Sequence, residues 1–207
     1  MLIEEKIRQS KVIPVIRNAT LDNIISIVQS LQKGGIEAIE VTAETPRFLE
    51  VLKKAKDNFE GEILVGVGTV LDPETARLAI MAGADFVVTP TYNPEVIKVC
   101  NRYGILTISG AFTPTEILSA YENGAKIIKV FPAGVIGPKY IKNIKGPLPH
   151  IPLMVTGGID IDEVKSYLDI GCVAVGLGSG LVNTQKLNSS EDFAELKEKT
   201  KSLMEKI

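Results

Sequence analysis

The chain has 207 residues, 45% of them hydrophobic and 23% charged, with a formal net charge of −2 at neutral pH. That length can bury one substantial core in a single domain spanning 1–207, and the charge balance offers neither a basic face for nucleic acid nor an acidic tail. No apolar run is long enough to span a bilayer, and the first eight residues are charged and amphipathic rather than a secretory leader, so a cytoplasmic protein with no membrane partner is expected.

The first predicted element is a helix over Ile3 to Ser10. Short Val- and Ile-rich runs then alternate with longer stretches of helical period. The predicted strands are Val12 to Arg17, Ala38 to Thr42, Ile63 to Val67, Phe86 to Thr89, Leu106 to Ser109, Ile127 to Phe131, Leu153 to Thr156 and Val173 to Gly176. Between them lie predicted helices over Leu21 to Gly34, Pro46 to Phe59, Pro73 to Gly83, Pro94 to Tyr103, Pro114 to Gly124, Lys139 to Ile144 and Asp160 to Gly171. Several open on a proline and several close on a glycine, the usual start and stop asymmetry. A polar loop, Asn183 to Ser190, leads to a last amphipathic helix from about Glu191 to Lys206.

Runs that are apolar on both faces fit parallel strands covered by helices, and eight such units suggest closure. The expected fold is α/β, a single (β/α)8 TIM barrel with an extra N-terminal helix. An open doubly wound sheet is the alternative, but no G-x-G-x-x-G follows the first strand and no G-x-x-x-x-G-K-[ST] occurs. The two cysteines, Cys100 in a segment that reads as a helix and Cys172 in one that reads as a strand, have no metal or redox spacing and read as reduced core thiols. The one histidine, His150, lies in a proline-rich loop at the amino end of the seventh strand. It excludes a multi-histidine zinc site and leaves little basis for a Ser-His-Asp triad; neither a metal nor a cofactor is expected.

In such barrels the active site gathers at the carboxyl ends of the strands. The polar residues there are Arg17, Glu40 with Thr42, Gly66-Val67-Gly68-Thr69, Thr89-Pro90, Ser109-Gly110, Lys129, Thr156-Gly157-Gly158 and Gly176-Leu177-Gly178-Ser179. Lys129 stands out, since a core lysine is pulled toward its neutral form, and a neutral amine attacks carbonyls to form Schiff bases. The competing reading is a lysine that snorkels from a strand end to water. Glu40, an acid in another apolar strand, suits proton transfer, the competing reading being an ion pair with a helix. The glycine-rich turns of the seventh and eighth strands, each leading toward a possible helix start, suggest a phosphate site.

Glu40-Val41-Thr42, Gly66-Val67-Gly68-Thr69-Val70, Lys129-Val130-Phe131-Pro132-Ala133, Thr156-Gly157-Gly158-Ile159 and Gly178-Ser179 occur in this order over nearly the whole chain. In this the chain resembles the class I aldolases acting on 2-keto-3-deoxy-6-phosphogluconate (KDPG) and 4-hydroxy-2-oxoglutarate (KHG). The resemblance implies Lys129 as the Schiff-base lysine, Glu40 as the proton-transferring acid and Thr69 as a holder of the pyruvate carboxylate. Pro90 joins the substrate-binding candidates, and Thr156, Gly157, Gly158, Gly178 and Ser179 match the segments around the distal phosphate. It also implies a small-molecule substrate and a homotrimer. One position departs: Glu44 stands where many members carry an arginine that helps bind the pyruvate carboxylate. Arg17 is expected to supply the missing cation.

The galactonate epimer of KDPG is the alternative substrate. A sugar-phosphate isomerase or epimerase on the same barrel would need no imine, so Lys129 argues against it. A non-catalytic sensor of sugar-acid phosphates is the remaining alternative, against which the retention of both Lys129 and Glu40 speaks.

Overall fold

The apolar runs form eight strands in the computed structural model, which describes residues 2–207: β1 (Val12–Ile16), β2 (Ala38–Thr42), β3 (Leu64–Gly68), β4 (Phe86–Val88), β5 (Leu106–Ala111), β6 (Ile127–Val130), β7 (Leu153–Thr156) and β8 (Ala174–Leu177). Met1 of the expected amphipathic N-terminal stretch lies outside the described residues. Each strand pairs in parallel with the next, and β8 pairs with β1, so the ladder closes into a barrel. Every strand residue is buried, which demands cover on both faces; closure supplies side chains within and helices without.

The helices are α1 (Ile3–Ser10), α2 (Ile24–Lys33), α3 (Phe48–Phe59), α4 (Pro73–Met81), α5 (Pro94–Arg102), α6 (Pro114–Glu122), α7 (Gly137–Lys145), α8 (Val164–Asp169) and α9 (Ser190–Met204). The proline-started helices follow the sequence expectation because local chemistry fixes their starts. Asp72 accepts from Thr75 N at 2.6 Å, Asn93 accepts from Glu95 N at 3.0 Å, and Thr113 and Glu116 form a reciprocal capping box. Other ends move. α3 begins at Phe48, two residues after the expected Pro46, because Arg47 sits in the left-handed region at φ 58° and cannot start a helix. The helix expected over Asp160 to Gly171 divides into a 3₁₀ turn, Ile161–Glu163, and the short α8. The polar loop after Asn183 contains a further 3₁₀ turn, Thr184–Lys186.

Two cores result. Outward strand residues such as Ile39, Val41 and Ile128 pack under the helices, whereas Ile13, Leu64, Phe86, Leu106, Ile127 and Met154 fill the barrel interior. α1 sets Ile7 against that inner core and plugs the amino end. Toward the carboxyl ends the inward positions become glycine, polar or charged. The register sets Glu40 beside Gly66, Thr42 beside Gly68, Lys129 between Gly110 and Met154, and Thr156 beside Gly176. The interior is filled below and opens above.

Candidate active site

Lys129 projects inward from β6 and is only 5% exposed, so it does not snorkel to bulk water. Its Nζ lies 4.0 Å from Glu40 Oε1 and 5.5 Å from the centre of the Phe131 ring. Burial pulls the amine below the ordinary lysine range and the nearby Arg17 charge adds to this, while Glu40 opposes it. Glu40 is fully buried, and neither carboxylate oxygen accepts a hydrogen bond. The carboxyl group occupies the space over Gly68, where any side chain would overlap it. The acid therefore depends on the absent side chain of the neighbouring strand.

The amine opens onto a cavity of about 360 Å³ whose wall includes Arg17, Lys129, Thr156, Gly157, Gly158, Gly178 and Ser179. That volume is within the usual range for a small-molecule site. Gly157 and Gly158 both adopt left-handed backbone at φ 90° and 71°, and Gly134 N donates to Gly157 O at 2.8 Å, fastening this turn to the segment after Lys129. At Gly178 an added Cβ would meet no protein atom within 4 Å. Its missing side chain serves the open cavity rather than a neighbour.

The helix starts expected behind the two glycine turns are only partly present. After β7 the chain enters the Ile161–Glu163 turn, where Asp160 N donates to Glu163 Oε2 at 2.9 Å, so part of that start is already occupied. After β8 no helix starts directly: Leu181 N and Val182 N both donate to Gly178 O, and the chain turns toward Thr184. Any anion there meets glycine backbone and side chains, not a long helix end.

Thr69 and Pro90 lie outside that cavity wall. Thr69 follows β3 in left-handed backbone at φ 56°, unusual for a β-branched residue. The Pro90-Thr91 backbone fills the space where a side chain at Gly110 would stand. Thr89 fixes it: its hydroxyl donates to Thr91 O at 2.6 Å and accepts from Gly110 N at 2.9 Å. Arg17 follows β1, the strand between β8 and β2, and its Nη1 donates to Oε2 of Glu44, in the loop after β2, at 3.2 Å. The expected cation is present at the mouth, in one wall with Lys129 and the glycine turns, and it is paired with Glu44.

Sequence reasoning did not select Val15, Phe131, Ile159 or Asp160, all of which line the cavity. Only Phe131 carried a signal, two residues beyond Lys129 on the same alternating face. His150 is exposed, its ring edge-on to Tyr121 at 5.6 Å, away from this site. Cys172 and Lys165 line a separate hollow of about 430 Å³ that brings in neither Lys129 nor Glu40. Both cysteines are free and buried, and Cys172 just precedes β8 rather than lying within it. Among the described residues no helix is long and apolar enough to cross a membrane.

A family model described as "Aldolase: KDPG and KHG aldolase" matches residues 3–198. The chain is 34% identical to the 2-dehydro-3-deoxy-phosphogluconate aldolase of Haemophilus influenzae over 195 residues, covering 94% of this chain and 91% of that protein. It is also 34% identical to the 2-dehydro-3-deoxy-6-phosphogalactonate aldolase of Escherichia coli over 170 residues, covering 82% and 83%. Among solved structures, the KDPG aldolase of Legionella pneumophila, with pyruvate captured as a covalent carbinolamine, superimposes with a TM-score of 0.88 at 28% identity, covering 96% of each chain.

Proposed function

The chain belongs to the KDPG and KHG aldolase family, and on that premise we propose that it is a metal-independent Schiff-base aldolase in which Lys129 is the nucleophile and Glu40 the proton carrier. The observation that carries this reading is the buried pair itself, an amine and a carboxylate 4.0 Å apart at the mouth of the barrel. Burial favours the neutral amine that addition requires.

In the cycle, the Lys129 Nζ lone pair adds to the C2 carbonyl of a 2-keto-4-hydroxy acid, giving a carbinolamine that takes up a proton and loses water to leave a protonated imine, the proton being returned when the last imine is hydrolysed. Glu40 takes the proton of the C4 hydroxyl, the C3–C4 bond breaks, and its electron pair flows to the imine nitrogen to leave an enamine. The departing aldehyde is glyceraldehyde 3-phosphate from KDPG, or glyoxylate from KHG. Protonation of the enamine at C3 and addition of water to the imine then release pyruvate and restore the amine. No other electron sink is required. Thr69 and Pro90, outside the cavity wall, are assigned to the pyruvate end. Thr156, Gly157, Gly158, Gly178 and Ser179 are assigned to the distal end. Arg17, in the same wall as Lys129 and paired with Glu44, is assigned to the pyruvate carboxylate. The similarity to a phosphogalactonate enzyme keeps that epimer as a second substrate, and the homotrimer implied by the resemblance belongs to the same proposal.

Incubation with pyruvate and borohydride tests it. A single reduced pyruvyl adduct on Lys129 is expected by peptide mass mapping, and none in Lys129→Ala. An adduct-free wild-type protein would sink the assignment.

A further inference from the structure

We propose that Thr89 is a positioning residue for the reacting amine: its hydroxyl folds the Pro90-Thr91 peptide into the space beside Lys129 and so keeps that side chain aimed at the cavity. The inference rests on the aldolase reading above and deepens it. Thr89 N donates to Ile108 O at 3.1 Å, and in a parallel ladder the next rung would run from Gly110 N to Thr89 O. Gly110 N donates instead to the Thr89 hydroxyl at 2.9 Å, and that hydroxyl donates to Thr91 O at 2.6 Å. A side chain takes the place of a carbonyl, so the pairing of β4 with β5 stops and the chain turns inward.

The turn fills a place that β5 leaves empty. Gly110 is the register neighbour of Lys129, and Ile108 and Leu106, which precede it on the same face, belong to the inner core. Its missing side chain would therefore point inward beside the lysine. A Cβ there would lie 2.2 Å from Pro90 C and 2.4 Å from Thr91 N, both backbone atoms. Neighbouring strands run about 4.8 Å apart, so this peptide stands where the flexible lysine stem would otherwise lean. With that side closed, Nζ is left the side that faces Glu40, 4.0 Å away, and the cavity. Thr89 is fully buried, and its hydroxyl spends its proton on one arm of the turn and a lone pair on the strand.

Steady-state kinetics on KDPG with Thr89→Val, Thr89→Ser and Gly110→Ala test this. Valine keeps the shape of threonine and removes both hydrogen bonds, whereas serine keeps them. In Thr89→Val kcat is expected to fall about 10- to 100-fold, the cost of misplacing a reacting group by on the order of 1 Å, with KM within about twofold of wild type. Thr89→Ser should recover most of that loss. Gly110→Ala displaces the same peptide from the other side and should lower kcat in the same way. Should the valine variant fail to fold because Gly110 N–H loses its partner, Thr89→Ala, which admits water to that group, carries the same expectation. An unchanged kcat in the valine or alanine variant at position 89, a serine variant as slow as the valine one, a fully active Gly110→Ala, or a loss carried by KM alone overturns the positioning role. Borohydride trapping of pyruvate separates the layers: a wild type that traps beside variants of unchanged kcat sinks this inference alone, whereas no trapping in wild type sinks the aldolase reading beneath it.

Discussion

Taking an ammonium out of water costs several kcal/mol unless a partner or a deprotonation relieves it. At Lys129 both are at work, with burial lowering the proton affinity and Glu40 at 4.0 Å restoring part of it. Glu40 in turn has no hydrogen-bond donor on either oxygen. A buried carboxylate left in this state is a weak contributor to stability, which fits its proposed role as proton carrier. Replacing it by glutamine keeps the volume over Gly68 and removes the base. Glu40→Gln should therefore lower kcat by about 10²–10⁴-fold, the usual contribution of a positioned acid or base. Pyruvate trapping at Lys129 should persist, and its loss would mean that Glu40 serves the amine rather than the bond cleavage. The two residues could each be singled out in the sequence, because each is a charge in an apolar run. Arg17 was expected at the pyruvate carboxylate because of the charge reversal at Glu44, and only the barrel brings it into the wall of the Lys129 cavity and pairs it with that same Glu44.

Among the elements, those with local signals agree with the sequence reading, and those governed by distant packing do not. α4, α5 and α6 begin where proline and a capping side chain begin them. The late start of α3 and the broken segment before α8 depend on loops packed around the barrel mouth, which leave no periodic trace in the chain. α1 is the case where element and barrel meet. Its amphipathic pattern was visible, but only the fold turns Ile7 into the stopper of the inner core. Ile7→Ala should destabilise the protein by about 2–5 kcal/mol, as expected when a fully buried branched side chain is deleted. Urea unfolding reads the loss, and turnover under native conditions should be unaffected because α1 plugs the end opposite Lys129. Equal stability of variant and parent would mean the amino end is closed by something else.

For the molecule as a whole, the buried amine ties stability to pH. In the folded state Lys129 binds its proton less tightly than its ordinary value of 10.5, so between the two pKa values the unfolded chain holds more protons. Stability contributed by this group therefore rises with pH across that window, and is lowest where both states are protonated. The buried thiol of Cys172, pushed up to about 12 from 9.0, works in the opposite sense, since the unfolded chain releases that proton first. Comparing wild type with Lys129→Met cancels the thiol and isolates the amine. On the alkaline side of neutrality the stability of wild type should climb relative to the variant as pH rises toward 10.5, measured by urea unfolding at a series of pH values. A constant difference would mean that Lys129 keeps its full proton affinity in the fold.

Composition and period alone determined the number of strands, their parallel cover by helices, the closure they imply and the two charges out of place in apolar runs. Those are properties of neighbouring residues, and the chain states them directly. Only the tertiary structure brought Glu40 across to Lys129, set its carboxyl group over Gly68, gathered Arg17 with the glycine turns of β7 and β8, and paired Arg17 with Glu44. Those distances arise from strand register and tilt around a closed ladder, a sum over the whole barrel that no local window of sequence contains.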